Sequence, residues 1–240
     1  MSTKLSININ KIALLRNSRG NNVPDILKFA MDCEAFGADG ITVHPRPDER
    51  HIKYNDLHEL KRIVQTELNI EGYPDEKFLQ MIEEVKPHQC TLVPDAPDAL
   101  TSDNGWDTIA HEHQLTEVVG RIQKQGVRVS LFINPENKYL DAAKKINTER
   151  IEFYTGPYAH LYETDSDRER LVLPFEQAAK HCMAIGLGVN AGHDLNLENL
   201  AFFKQKLPNL LEVSIGHAFV RDCLYYGLEN VVSMYKRLLK

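Results

Sequence analysis

The chain has no run of about 20 apolar residues, so no membrane-spanning helix is expected, and residues 1–6 lack the apolar stretch of a secretory leader. It has no C-x-x-C pair. Cys33, Cys90, Cys182 and Cys223 stand far apart beside apolar or helix-forming neighbours, which speaks against zinc or redox work and suits buried reduced thiols. There is no basic excess: the net charge is −6, so no nucleic-acid or anionic-membrane surface is indicated, and any cationic cluster must be local. No G-x-G-x-x-G fingerprint appears, because Gly186, Gly188 and Gly192 precede and occupy a strand pattern instead of following one. No Pro/Gly/Ser-rich run marks a linker. These absences leave a single domain over residues 1–240, cytoplasmic, with a small anion as its expected partner.

What is present is a regular alternation of strand and helix patterns. Leu5, Ile7 and Ile9 alternate with Ser6, Asn8 and Asn10 at the period of a strand. Further strands are predicted at 40–43, 69–72, 89–93, 127–135, 150–157, 186–194 and 211–217. Helical spacing marks 23–36, 54–68, 75–85, 113–125, 140–146, 171–185, 195–203 and 218–240, while 14–22 reads as a polar loop able to close over an anion. Residues 94–107 have no apolar period and read as a lid. About eight βα units predict an α/β fold, a (β/α)8 barrel, with an open doubly wound sheet as the alternative.

Barrels of this kind place their chemistry at the C-terminal ends of the strands. There the chain offers Asn8, Asn10 and Lys11, then His44, Arg46, Arg50 and His51, then Glu71, Thr101 and Glu152, then Asn190 with His193, and Ser214 with His217. Gly192-His193 and Gly216-His217 suit phosphate binding on backbone N–H groups, or simply tight βα turns. Arg19, Arg46 and Arg50 suit a second anion, or a solvated surface. Glu71 in a partly apolar mouth suits proton transfer, or a structural ion pair. Metal ligation by His44, His193 and His217 finds no H-x-H or H-E-x-x-H spacing in its favour. Lys11 suits a Schiff base or a phosphate contact. A sugar-phosphate sensor without chemistry is the non-enzymatic alternative.

Seven segments taken together, NINKIALLRNSRG (8–20), GADGITVHPRPDERHI (37–52), NIE (69–71), VSLFI (129–133), YTGPYA (154–159), VNAGH (189–193) and IGHA (215–218), resemble the pyridoxine 5′-phosphate synthase family in order along the chain. The resemblance implies a barrel with extra helices, assembled as a homo-octamer in the bacterial cytoplasm. It implies a transferase that needs no cofactor and no metal, and that makes the vitamin B6 ring from 3-amino-2-oxopropyl phosphate and 1-deoxy-D-xylulose 5-phosphate. By motif, His44 and Glu71 become proton acceptors and His193 a proton donor. Asn8, Arg19, Asp194, Gly216 and His217 hold the amino-ketone phosphate, while Asn10, Lys11, Arg46, His51 and Thr101 hold the deoxyxylulose phosphate. The chain departs from the family pattern at Asn10-Lys11, where Asp-His is usual, at Asp194, where glycine is usual, and at Gly72-Tyr73-Pro74, where a more apolar run is expected.

Overall fold

A computed structural model describes residues 2–95, 104–207 and 209–240. Among them are eight strands and eleven helices, in the order β1 (Lys4–Asn8), α1 (Asn10–Asn17), α2 (Ile26–Ala35), β2 (Gly40–Val43), α3 (Tyr54–Ile63), β3 (Glu67–Gly72), α4 (Glu76–Val85), β4 (Gln89–Leu92), α5 (Glu112–Gln123), β5 (Arg128–Ile133), α6 (Asn137–Lys145), β6 (Arg150–Phe153), α7 (Gly156–Tyr162), α8 (Arg168–Ile185), β7 (Gly188–His193), α9 (Leu200–Lys206), β8 (Leu210–Ile215), α10 (His217–Tyr226) and α11 (Leu228–Leu238). All strand pairs are parallel, and β1 closes on β8 with Ile7 opposite Ile215, so the sheet is a closed barrel and not an open one. No described helix is long and apolar enough to cross a membrane.

The strand pattern explains how the barrel is held. Leu5, Ile7, Ile41, Val43, Leu68, Ile70, Cys90, Leu92, Val129, Leu131, Ile151, Phe153, Val213 and Ile215 are wholly buried. They alternate along their strands with Ser6, Thr42, Asn69, Thr91, Ser130, Glu152 and Ser214, which are also buried. Because successive side chains point to opposite faces, the apolar set packs outward on the helices and the polar set fills the lumen. Hydrogen bonds knit the lumen: Ser6 with Thr42 at 2.7 Å, and Thr91 donating to Asn69 at 3.0 Å. Lower down, Arg128 donates to Gln89 at 2.9 Å and Arg150 meets Glu212 at 3.3 Å.

Several elements differ from the sequence expectation. The polar loop expected from residue 14 lies partly in α1, which starts at Asn10 because the Asn8 side chain accepts the Asn10 N–H at 3.1 Å and turns the chain. Arg16, expected in an anion-closing loop, is buried in α1 and paired with Asp56 at 2.8 Å. Helix α3 stops at Ile63, and Leu68, which had matched its spacing, belongs to β3. Between them Glu34 accepts the N–H groups of Gln65 and Thr66. The expected 218–240 helix breaks at Gly227, whose φ of +77° ends α10. Trp106, placed in the lid by sequence, is buried and donates to the Leu92 carbonyl at 3.0 Å. Residues 96–103 of that lid, with Thr101, lie outside the described residues.

The β7–β8 approach needs glycine. A Cβ at Gly192 would fall on the Ser214 carbonyl and within 3.1 Å of Glu152 Oε1, and backbone cannot swing aside as a flexible side chain can. Gly192→Ala is expected to cost roughly 1–3 kcal/mol, read as a lowered thermal midpoint; an unchanged midpoint would show that the two strands slide apart freely.

Candidate active site

The C-terminal ends of the strands surround a cavity of about 310 Å³. Asn8 and the α1 residues Asn10, Lys11 and Leu14 form one wall, and His44, Arg46, Arg50 and His51 from the β2–α3 connection form the next. Glu71, near the end of the adjoining strand β3, comes next; His193, Asp194, Gly216 and His217 close the ring. Of the sequence-predicted site residues, Arg19 is exposed and does not line this cavity.

Local hydrogen bonds set what each group can offer. Asn10 spends its amide oxygen on the His44 N–H at 2.9 Å, so it ties α1 to the tip of β2. Asn8 spends its oxygen on Asn10 and donates weakly to Glu71 at 3.4 Å. The His51 Nδ1 accepts the Ile52 N–H at 2.9 Å, which makes Nε2 the N–H donor of its neutral ring. Arg46 is buried and paired with Asp95 at 2.9 Å, a partner the sequence reading missed; the signal was a carboxylate just past the fourth strand. Arg50 pairs with Asp48 at 2.9 Å. His44, His51 and their arginines come from one short segment, because Pro45 and Pro47 forbid a helix directly after β2.

The protonation states differ around the ring. Burial raises Glu71 to about 7, against the pull of His193, with Asp95 and Glu212 adding to the rise. Burial and then Arg46, His51 and His193 push His44 well below the usual imidazole range, so it is neutral at pH 7. His51 falls to about 4 through burial and its cationic neighbours Arg46, Arg50 and Lys11. Burial also acts to lower His193, but its hydrogen bond to Asp194 and the charges of Asp194, Glu71 and Asp95 outweigh it and raise the group. Below the main cavity a void of about 20 Å³ touches both Glu71 and Glu152; burial and the neighbouring Glu71 hold Glu152 well above the carboxylate range. One rim therefore holds a carboxyl balanced near neutrality, a neutral imidazole and an imidazole biased toward its cation. Such a set can take and give protons repeatedly at one pH. Among the described residues, no group of three or more His, Cys, Asp or Glu is placed to hold a metal ion.

The chain as a whole is similar to known proteins. Residues 5–240 match the family described as "Pyridoxal phosphate biosynthesis protein PdxJ". A pyridoxine 5′-phosphate synthase from Flavobacterium johnsoniae is 55% identical over 238 residues, covering 99% of this chain and 100% of the relative. Those of Parabacteroides distasonis and Cytophaga hutchinsonii are 54% and 53% identical, each covering 99% of both chains. Among solved structures, 3-keto-L-gulonate-6-phosphate decarboxylase from Vibrio cholerae superposes with a TM-score of 0.68 at 11% identity, covering 99% of this chain and 98% of its own, a likeness of fold alone. Phosphoribosylanthranilate isomerase from Thermotoga maritima does so at 0.60 and 13%, with the same coverage. With a family match across nearly its whole length and relatives above half identity, the chain belongs to the pyridoxine 5′-phosphate synthase family.

Proposed function

We propose that this cavity condenses 3-amino-2-oxopropyl phosphate with 1-deoxy-D-xylulose 5-phosphate, yielding pyridoxine 5′-phosphate, inorganic phosphate and water through acid/base steps. The observation that carries the reading is the cavity's single ring of unlike proton carriers, Glu71, His44 and His193, flanked by cationic side chains in a chain of net charge −6. In this reading the amine adds to the ketone, water leaves, phosphate is eliminated and the ring closes. None of these steps is a redox step; each moves protons.

Neutral His44 and the carboxylate form of Glu71 serve as proton acceptors, and His193 as the donor. Lys11, Arg46 and the Nε2–H of His51 hold the deoxyxylulose phosphate, with Asn10 setting the wall they stand on; Thr101 joins them by motif. The amino-ketone phosphate lies at Gly216-His217, where the first turn of α10 directs backbone N–H groups and its dipole at an anion, with Asn8 and Asp194 beside it. Arg19, off the cavity, is left without a role. Two phosphorylated substrates held in one mouth gain proximity and keep reactive intermediates from bulk water.

The proposal extends to one catalytic domain in a cytoplasmic homo-octamer. Leu14 and Leu15 on α1 and Leu224, Tyr225 and Tyr226 on α10 are exposed apolar side chains on helices that touch one another, a surface that copies of the chain can cover.

The test is direct. Purified protein mixed with freshly generated 3-amino-2-oxopropyl phosphate and 1-deoxy-D-xylulose 5-phosphate should release pyridoxine 5′-phosphate and inorganic phosphate in equal amounts. Intact, bound substrates with neither product would refute the synthase reading.

A further inference from the structure

We propose that Asp194 is a positioning residue for the reaction, holding the His193 ring through Nδ1 so that Nε2 carries the proton delivered to substrate. This rests on the synthase reading above, and it goes beyond the assignment of Asp194 to substrate binding.

Two neighbours on a strand point to opposite faces, and Asp194 follows β7 directly. The chain breaks that rule here. His193 takes a φ of +52°, uncommon for a residue with a side chain, and the Asp194 N–H donates to the Gly192 carbonyl at 2.8 Å. The result is a three-residue turn of the rarer, positive-φ hand. It brings two consecutive side chains together, with His193 Nδ1 at 2.8 Å from Asp194 Oδ2, both lining the cavity. Asn199 donates to the Asp194 carbonyl at 3.4 Å and fixes the far side of the turn. Strain of this kind persists where surrounding structure holds it, and it concentrates at working sites.

A carboxylate on Nδ1 does two things to an imidazole. It fixes the neutral tautomer as Nδ1–H, and it favours the cation, in which Nε2 also bears a proton. In the dehydration step the Nε2–H bond breaks as an O–H bond forms on the departing hydroxyl, which leaves with the C–O electron pair as water. The remaining ring is neutral, with its Nδ1–H still on Asp194. The orientation is thus the same before and after transfer.

Other groups facing His193 set the background for its titration. Glu71 of β3 and Asp95 beyond β4 favour its cation, as Asp194 does. His44 after β2 is coupled to it with like sign, and Lys11, Arg46, Arg50, His51 and His217 share the same cavity. Of these, Asp194 is the side chain whose hydrogen bond on Nδ1 selects a tautomer.

The experiment is an NMR titration of the histidine ring nitrogens in the full-length protein, wild type and Asp194→Asn, beside pH profiles of kcat and KM. In the wild type, His193 should titrate above 6.5 with Nδ1–H as the neutral tautomer. In Asp194→Asn its midpoint should fall by about one pH unit, and the basic limb of kcat should fall with it, while KM for the deoxyxylulose phosphate, held on the other wall of the cavity, changes less than about twofold. Asp194→Glu, which keeps the charge, should recover part of the midpoint. An unmoved midpoint overturns the proposal, and so does a moved midpoint with an unmoved kcat limb. A wild-type protein that makes no product overturns the synthase reading instead, and the two are separable because the titration needs no turnover.

Discussion

Glu71→Gln is expected to lower kcat by about 10²–10⁴-fold, the usual contribution of a positioned proton carrier, while both substrates still bind. Glutamine keeps the shape of the side chain and its contact with Asn8 but cannot accept a proton. The wild-type acidic limb should sit near pH 7, because burial has brought Glu71 there, and activity should rise with pH as the carboxylate forms. In the variant that limb should vanish from the residual rate. Stability carries the same signature with a defined sign. The folded pKa of about 7 lies above the ordinary value near 4.5, so between those values the folded chain holds more protons than the unfolded one. Glu71's contribution to stability therefore falls as pH rises through that window, and Glu71→Gln should remove the fall, leaving the variant's thermal midpoint less sensitive to pH. Loss of substrate binding together with activity would instead make Glu71 a binding group.

Arg16→Met should produce the largest loss of stability. Arg16 grips Asp56 with two nitrogens, at 2.9 and 2.8 Å, and donates to the His51 carbonyl at 3.1 Å; both partners are nearly inaccessible. Asp56 also accepts the Lys53 N–H at 2.8 Å, at the start of α3. Removing one member of a buried pair leaves the other's charge without compensation, which costs about 3–5 kcal/mol. For a chain of this size, that corresponds to a thermal midpoint lower by roughly 10 °C. Arg16→Met with Asp56→Leu should recover most of it, since the expensive state is the unpaired carboxylate and not the missing pair. Because Arg16 also holds the His51 carbonyl, KM for the deoxyxylulose phosphate should rise in the single variant. A melt unchanged by Arg16→Met would show that water reaches Asp56.

The sequence carried the strands well because each is short, β-branched and bounded by turn residues, as Ile41-Thr42-Val43 is between Gly40 and Pro45. The helix ends were harder to read. Leu68 satisfied a helical spacing by coincidence, and only the side chain of Glu34, over 30 positions away, shows why the helix stops before it. Arg16 and Arg19 looked alike as loop guanidiniums, yet one is buried on Asp56 and the other exposed. The partner 40 residues downstream separates them, and periodicity holds no record of it. The rim was legible as a set of chemical types at strand ends. The proton roles of His44, Glu71 and His193 came from the family resemblance and not from the residue pattern, because the shifts behind them arise from burial and from neighbours such as Asp95 that only folding brings near. Asp194 was visible as an odd carboxylate next to a histidine; that the two side chains meet depends on a backbone angle.

The alternation along the strands has one more consequence. On β1, Leu5 and Ile7 hold the sheet to its helices, whereas Ser6 and Asn8 of the same five residues face the lumen, Asn8 at the cavity itself. Neighbouring codons thus specify two different properties, and the two can change at different rates. A lumen residue can be exchanged for another polar one without disturbing the layer that keeps the barrel closed, and an aliphatic can be exchanged without touching a proton carrier. In such a barrel, altered selectivity and altered heat resistance are separate projects, written in alternate letters of one short word.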